Sequence, residues 1–331
     1  MSLIGVQPRP DILLTVMQDW PKIPEHFISF QLFPVFKVGV STAPLPKVRR
    51  SANVERLYRP RYGQFPRSQT EVLAAGTYNC TEQGFEEPYD QKDIEIYKGE
   101  AGAQKVMGYM ALNKVLIAHE LGVVNSVMNT TAFPAGYNQA ASAVWGTASD
   151  KPLNDVADAK QGVLLNCGQD ANCIFFAATI YNKVRKSPQI QAQVRGIMGY
   201  TGKASGISID ITVQDLAIAF NVEMVYIGRA RYNTADEGQT EVMAFIWPAD
   251  KVLVAYIPSP EDPIAPHLGR TFVWDEGLME LGGQAQTSVA FDGVIMENYY
   301  EVQGNVGVMR ARKFLDTLLL NRDSGFLLTG C

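Results

Sequence analysis

Histidine is scarce in this chain of 331 residues. There are three, His26, His119 and His267, far apart in sequence. His119-Glu120 lacks the second histidine that a zincin helix places four residues after the first, so the pair reads as a helix-surface pair. Cysteine is also sparse. Cys80, Cys167, Cys173 and Cys331 match no zinc or redox spacing, which leaves reduced buried thiols in a reducing cytoplasm as the default. No apolar run approaches the roughly 18 residues of a membrane span. The early residues Arg9, Asp11 and Asp19, with Pro8, Pro10 and Pro21, do not make a signal peptide. Internal repeats and low-complexity tracts are missing. So are a nucleophile elbow, a dinucleotide fingerprint and metal-spaced Cys/His sets. Thr201-Gly202-Lys203-Ala204-Ser205 imitates a phosphate loop, but Ile197 stands where its first glycine belongs and alanine follows the lysine. Asn79-Cys80-Thr81 is a glycosylation sequon by rule only. No catalytic, cofactor-binding or metal-ligating residue is assigned. The absence of motifs lowers the odds of an enzyme without excluding one whose active-site residues are dispersed.

What is present is a chain 47% hydrophobic and 19% charged, enough for one large or two ordinary domains with cores. Its net charge of −5 gives no general attraction to nucleic acid or anionic membrane. The dominant stretch is Asp90–Asn129, the one long proline-free segment with sustained helical spacing. Val106, Met110, Asn113, Ile117, Leu121 and Val124 form one stripe, and Met107, Met110, Lys114 and Ala118 a flatter second side. Asp90 suits an N-cap, with Asp93 in the first turn. Gly99, Gly102 and Gly108 permit a bend, or a division into two helices. A long, bent helix of this kind suits a scaffold rod in an assembly better than a pocket wall.

Residues 1–46 read as an extended arm, because prolines at 8, 10, 21, 24, 34, 44 and 46 forbid a continuous helix. Phe27, Ile28, Phe30, Leu32, Phe33, Val35 and Phe36 make it strongly apolar, so it must lie on its own domain or on a neighbour. Residues 47–67 then hold seven basic side chains, Lys47, Arg49, Arg50, Arg56, Arg59, Arg61 and Arg67, against Glu55 alone. Residues 71–100 reverse the sign. Glu71, Glu82, Glu86, Glu87, Asp90, Asp93, Glu95 and Glu100 stand against Lys92 and Lys98. Adjoining blocks of opposite sign suggest a projecting hairpin whose partner is another copy of the chain. Arginine suits bidentate pairing with carboxylates there. A nucleic-acid patch with Tyr58, Tyr62 and Phe65 interleaved, or a solvated self-neutralising loop, are the competing readings.

Beyond the long helix, Pro134 and Gly136 mark a turn, and Asp150 can cap a helix beginning near Pro152 with Leu153, Val156, Ala159, Val163 and Leu164 on one face. Strands are expected at 172–176, 207–212 and 222–228, with helices at 177–186, 188–196 and 213–220. This is an α/β pattern on a small sheet. From Glu241 the chain turns to strands, ending in a long antiparallel hairpin around Gly304-Asn305.

Taken in order, these segments resemble the major capsid proteins of tailed bacteriophages, the Hong Kong 97 capsid fold, in its lambda-like branch. The matching features are the phenylalanine-rich FISFQLFPVFKV ahead of a charged loop, the 90–129 helix, VWGTASDKPLNDVADAKQGV, and the closing VGVMRARKFLDTLLLNRDSGFLLTG. No single motif is diagnostic; the order of several carries the resemblance. It implies an α+β chain. Its parts would be an N-terminal arm (1–46), an extended loop (47–88), a peripheral domain with a spine helix (89–136), an axial domain (137–235) and return strands of both domains (236–331). It implies a subunit, not an enzyme, that self-assembles into hexamers and pentamers of an icosahedral shell around double-stranded DNA, without sequence-specific binding and without a membrane. The inter-subunit contacts implied are Phe30, Phe33, Phe36, Arg49, Arg50, Arg59, Arg61, Arg67, Glu82, Glu86 and Glu87. No long N-terminal helical extension precedes the arm, so the resemblance implies a separate scaffolding protein. A portal is a further partner, and a decoration protein an optional one. The location implied is the virion, assembled in the host-cell cytoplasm. Nothing marks the lysine and asparagine of relatives that crosslink covalently. An encapsulin-type compartment holding protein cargo, and more remotely a soluble α/β enzyme, are the alternatives.

Overall fold

The structure is a computed structural model and describes residues 7–19, 26–48, 63, 72–197, 211–236, 238–259, 266–274 and 293–331. In chain order come β1 (Gln7–Pro8), α1 (Pro10–Asp19), α2 (Ser29–Leu32), β2 (Val35–Val38), β3 (Thr42–Val48), β4 (Val72–Asn79) and β5 (Thr81–Tyr89). Then follow α3 (Gln91–Ile96), α4 (Glu100–Val127), β6 (Asn138–Ala140), α5 (Pro152–Cys167), β7 (Cys173–Ala177), α6 (Ala178–Val184), α7 (Pro188–Ile197) and α8 (Val213–Phe220). The chain closes with β8 (Met224–Gly228), β9 (Arg231–Asn233), β10 (Met243–Phe245), β11 (Lys251–Ala255), β12 (Gly269–Trp274), β13 (Ile295–Glu301), β14 (Val306–Leu319) and β15 (Gly325–Thr329).

Two sheets organise these elements. In the first, β14 is the hub. It holds β13 along Val306–Arg312, β12 along Leu315–Leu319 and β5 along Gly307–Leu315, all antiparallel. Leu315 faces both Thr81 and Val273, so β5 and β12 lie on opposite edges of β14. Short β1 and β2 extend the sheet beyond β13 and β12. The β13–β14 turn sits at the expected Gly304-Asn305, with Asn305 left-handed at φ 52°.

Along β14, Gly307, Met309 and Ala311 alternate with Val308, Arg310 and Arg312. Met309 and Ala311 share a core with Ala111 and Leu112 of α4. The 28 residues of α4 lie across this sheet, roughly 42 Å at 1.5 Å per residue. Gly108 sets the approach: a Cβ there would stand 2.7 Å from Met296 Cε and 3.2 Å from Ile12. The buried face of α4 is Ala103, Gln104, Met107, Gly108, Ala111, Leu112, Val115, Leu116, His119, Glu120, Val123, Val124 and Val127. It differs from the expected stripe, of which Val124 is buried and Met110 is exposed. A helix pressed on a sheet buries a double-width band two adjacent positions wide, and the sequence pattern followed its flank.

Of the bend or division that the glycines of 90–129 allowed, the division is found, ahead of Glu100. Asp90 caps α3 through a capping box with Asp93. Lys98 (φ 59°) and Gly99 (φ 128°) then reverse the backbone before α4 begins. The arm differs as well. It contains α1, which starts on Pro10, a residue tolerated at a first helical position because its missing N–H has no helical partner. Ile12, Leu13 and Val16 of α1 join the α4 core.

The second sheet has the order β6-β15-β11-β7-β8, with β15/β11 and β11/β7 antiparallel and the outer pairs parallel. Both faces are covered. Ile174, Phe176, Val252, Val254, Phe326 and Leu328 pack under α5 to α8, while Cys173, Phe175, Leu253, Ala255 and Leu327 join the α4 core. That double burial is why these strands read as unbroken apolar runs while β14 alternates. The late strands β11 and β15 therefore complete the sheet that β7 and β8 begin. Of the strand expected at 207–212, Ile211 and Thr212 are described and are not in a strand; Thr212 caps α8 with Asp215, and 207–210 lie outside the described residues. Asp150 does not cap α5. Its carboxylate accepts from Gly146 N at 2.7 Å and Ser187 Oγ at 2.8 Å instead, tying the start of α5 to the α6–α7 turn.

Candidate functional site

The residues nominated as contacts between copies fall into three groups. The arm aromatics Phe30 and Phe33 are 4% and 0% exposed, sealed inside their own chain. Phe36 is 38% exposed, with the Arg270 guanidinium 4.7 Å from its ring centroid. Arg49, Arg50, Arg59, Arg61 and Arg67 lie outside the described residues. The ribbon that carries them is described: β3 and β4 are antiparallel, and Val48 and Val72 are direct partners, so the chain leaves and re-enters at one place.

The acidic group sits on β5 and is already paired within the chain. Glu82 accepts from Arg312 at 2.6 Å, Glu86 from Arg310 Nε at 2.6 Å, and Glu87 meets Lys114 at 2.6 Å. Glu297 on β13 joins the same network by accepting from both arginines. Arg312 and Glu297 are 7% and 3% exposed at their side chains. Burial works against the Arg312 charge, but the bonds from Glu297 and Glu82 outweigh it and hold the guanidinium above its ordinary pKa. Glu82 and Glu86 keep about half of their side-chain surface in solvent. Together with Phe36 they are the nominated residues, among those described, that retain substantial outward surface.

Sequence reasoning missed a second polar cluster. His119 and Glu120 are buried, at 3% and 0% exposed, whereas they were expected at the helix surface. Their positions follow Val115-Leu116 and precede Val123-Val124 by one turn each, which is the signal that places them on the band facing the sheet. Glu120 accepts from Ile28 N (3.2 Å), Ser29 N (2.9 Å) and Trp247 Nε1 (2.5 Å). His119 Nδ1 lies 3.0 Å from Ser29 Oγ and Nε2 lies 3.3 Å from Thr271 Oγ1, with the ring stacked on Phe30 at 4.3 Å. Lys313 is buried beside it, its Nζ 5.1 Å from the Phe30 centroid. Burial lowers the Lys313 pKa to about 7.

A cleft of about 620 Å³ opens between α2 and the β7–β8 edge, lined by Phe30, Val35, Asn172, Glu223, Tyr226 and Tyr256 among others. Cys173 also lines it, with its thiol pushed up to about 12 by burial, so it stays protonated at neutral pH. Among the described residues no three His, Cys, Asp or Glu side chains converge as a metal site, and no helix is long and apolar enough to cross a membrane.

No family model matches the chain. A curated protein from Pseudomonas phage JBD67, named major capsid protein, is 23% identical over 183 residues, 54% of this chain and 56% of that protein. The chain thus spans about half the length of the curated relative it matches. Among solved structures, a phage-related protein from Bordetella bronchiseptica RB50 superposes with a TM-score of 0.67 at 16% identity, covering 97% of this chain and 96% of that one. The chain has the Hong Kong 97 phage capsid fold. The putative capsid protein of an E. coli CFT073 prophage shares that capsid fold nearly end to end, with a TM-score of 0.55, 10% identity and coverage of 98% and 99%. Within this fold the His119 cluster lies in the interior, where α4 meets the arm.

Proposed function

We propose that the chain is the major capsid subunit of a tailed bacteriophage, a structural protein without enzymatic activity. It assembles as hexamers and pentamers into an icosahedral shell around double-stranded DNA. The observation that carries this reading is that a phage capsid relative in sequence and an end-to-end match in fold coincide on one chain. Cohesion in such a shell is spread over many contacts rather than held in one pocket. The net charge of −5 keeps the subunit from binding tightly to the DNA that must enter and leave.

Within this reading, residues 1–46 are the arm, 47–88 the extended loop, 89–136 the peripheral domain, 137–235 the axial domain and 236–331 the return strands of both. The arginines of 49–67 reach a neighbouring copy, with Phe36, Glu82 and Glu86 offering surface in return. Phe30 and Phe33 act one step back, by anchoring the arm that carries Phe36. A separate scaffolding protein and a portal complete the assembly, with a decoration protein as an optional addition, and the mature location is the virion. Negative-stain microscopy of the chain co-expressed with its scaffolding protein tests this. Closed shells or capsomers are the expected result, and a uniform small species even with scaffold and crowding agents overturns it. Shells that enclose a protein cargo instead of DNA favour an encapsulin-type compartment.

A further inference from the structure

The cluster around His119 joins the arm to the rest of the chain. Backbone amides of Ile28 and Ser29, the Ser29 hydroxyl and the Phe30 ring all meet α4 through His119 and Glu120. Thr271 on β12 donates its hydroxyl proton to Phe33 O at 3.1 Å, so toward His119 it can only accept. His119 Nε2 therefore carries the proton, and Nδ1 accepts from Ser29. A neutral imidazole satisfies both neighbours; an imidazolium would bring a charge into a site that is closed to water and already holds the Lys313 amine.

We propose that this cluster is an acid-sensitive latch: neutral His119 seats residues 27–33 on α4 and β12, and protonation of His119 releases them. Every titratable group that faces the ring weighs on this switch. Lys313 from β14 is a second cation beside it, and among the described residues it has no carboxylate within ion-pair distance. Among the described residues Glu120 is the anion of the cluster, already engaged by two arm amides and Trp247. Arg270, next to Thr271, faces Phe36.

Burial first, and Lys313 second, hold His119 well below 6.5, so it is neutral while the arm is seated. In a released arm it regains water and titrates near its ordinary value of about 6.5. The released form therefore binds the proton more tightly. Each pH unit below about 6.5 favours it by up to about tenfold. Glu120 pulls the other way. Burial raises its pKa, so the seated form takes up that proton first, between the raised value and 4.5. Release uncovers Phe27, Phe30, Leu32 and Phe33, apolar side chains that a second copy or the same chain must cover again.

All these groups belong to one chain, so the latch does not rest on the capsid reading. The test is hydrogen exchange of the full chain in solution, following peptides over 26–33 from about pH 7.5 to about pH 5 and correcting for intrinsic exchange. Wild type is expected to lose protection there, with the open fraction growing about tenfold per pH unit below about 6.5. His119→Gln, which bonds without titrating, should show no such rise. Glu120→Gln should open further than wild type at the acid end. Protection that stays flat in wild type, or His119→Gln tracking wild type, overturns the latch. Should His119→Gln fail to fold, NMR of the three histidines in wild type decides. A His119 resonance that titrates together with the loss of protection supports the latch, and arm opening with His119 still neutral overturns it.

Discussion

Lys313 is the residue most at odds with its surroundings: 1% exposed, with Phe30 as its ring contact. Its pKa falls from 10.5 in the unfolded chain to about 7 in the folded one, through loss of hydration. The unfolded state thus takes up a proton across that window while the folded state does not. Stability falls as pH is lowered from 10.5 toward about 7, by up to about 1.4 kcal/mol per unit, then levels off. Lys313→Met should raise the melting temperature at neutral pH and remove that slope, which urea unfolding at a series of pH values measures. Glu297 is the opposite case, a buried charge with good partners in Arg310 and Arg312. Glu297→Ala leaves Arg312 buried and half-paired, with an expected cost of about 3–5 kcal/mol in chemical unfolding.

At the scale of elements, the break between α3 and α4 rests on Lys98, a lysine in the left-handed region. A side chain there costs roughly 1–2 kcal/mol, partly offset against glycine by the latter's greater unfolded freedom. Lys98→Gly should stabilise the chain by about 0.5–1 kcal/mol, and a thermal melt showing a loss would mean the turn is held differently. Trp247 ties the second sheet to α4, stacking with Phe175 of β7 at 6.3 Å and donating to Glu120. A Cβ at Gly228 would lie 2.2 Å from its indole. Gly228→Ala should therefore cost about 1–3 kcal/mol through displacement of a rigid ring, and shift the tryptophan fluorescence. Such elements were unevenly legible. The Asp90 cap, the α5–α8 helices and the Gly304-Asn305 hairpin follow from local rules. The helix in the arm does not, because a proline-rich run reads as extended and local rules do not tell a breaking proline from one in a first turn.

At the scale of the whole molecule, the proposed shell depends on surfaces that one subunit leaves open. Reversing Arg49, Arg50, Arg59 and Arg61 to glutamate should abolish shells by electron microscopy while leaving circular dichroism and melting unchanged. Normal shells from that variant would sink the role given to residues 49–67. The β5 acids bear on the same point. Opposite-sign blocks adjacent in sequence suggested pairing between copies, yet Glu82, Glu86 and Glu87 are each met by a base of their own chain. Those bases, Arg312, Arg310 and Lys114, are far away in sequence, so no local reading could assign them.

Short-range physics in the sequence accounts for the long helical stretch, most of the middle helices and strands and the closing hairpin: periodicity, caps and turn residues suffice for them. The capsid fold was legible only as a resemblance carried by the succession of segments. Only the tertiary structure decided which side of α4 is buried, that β11 and β15 complete the sheet of β7 and β8, and that His119, Glu120 and Lys313 meet beneath the arm. Those facts depend on contacts between residues far apart in sequence, such as Ser29 with His119 and Thr271 with Phe33, and burial of a charge is set by what arrives from elsewhere in the chain.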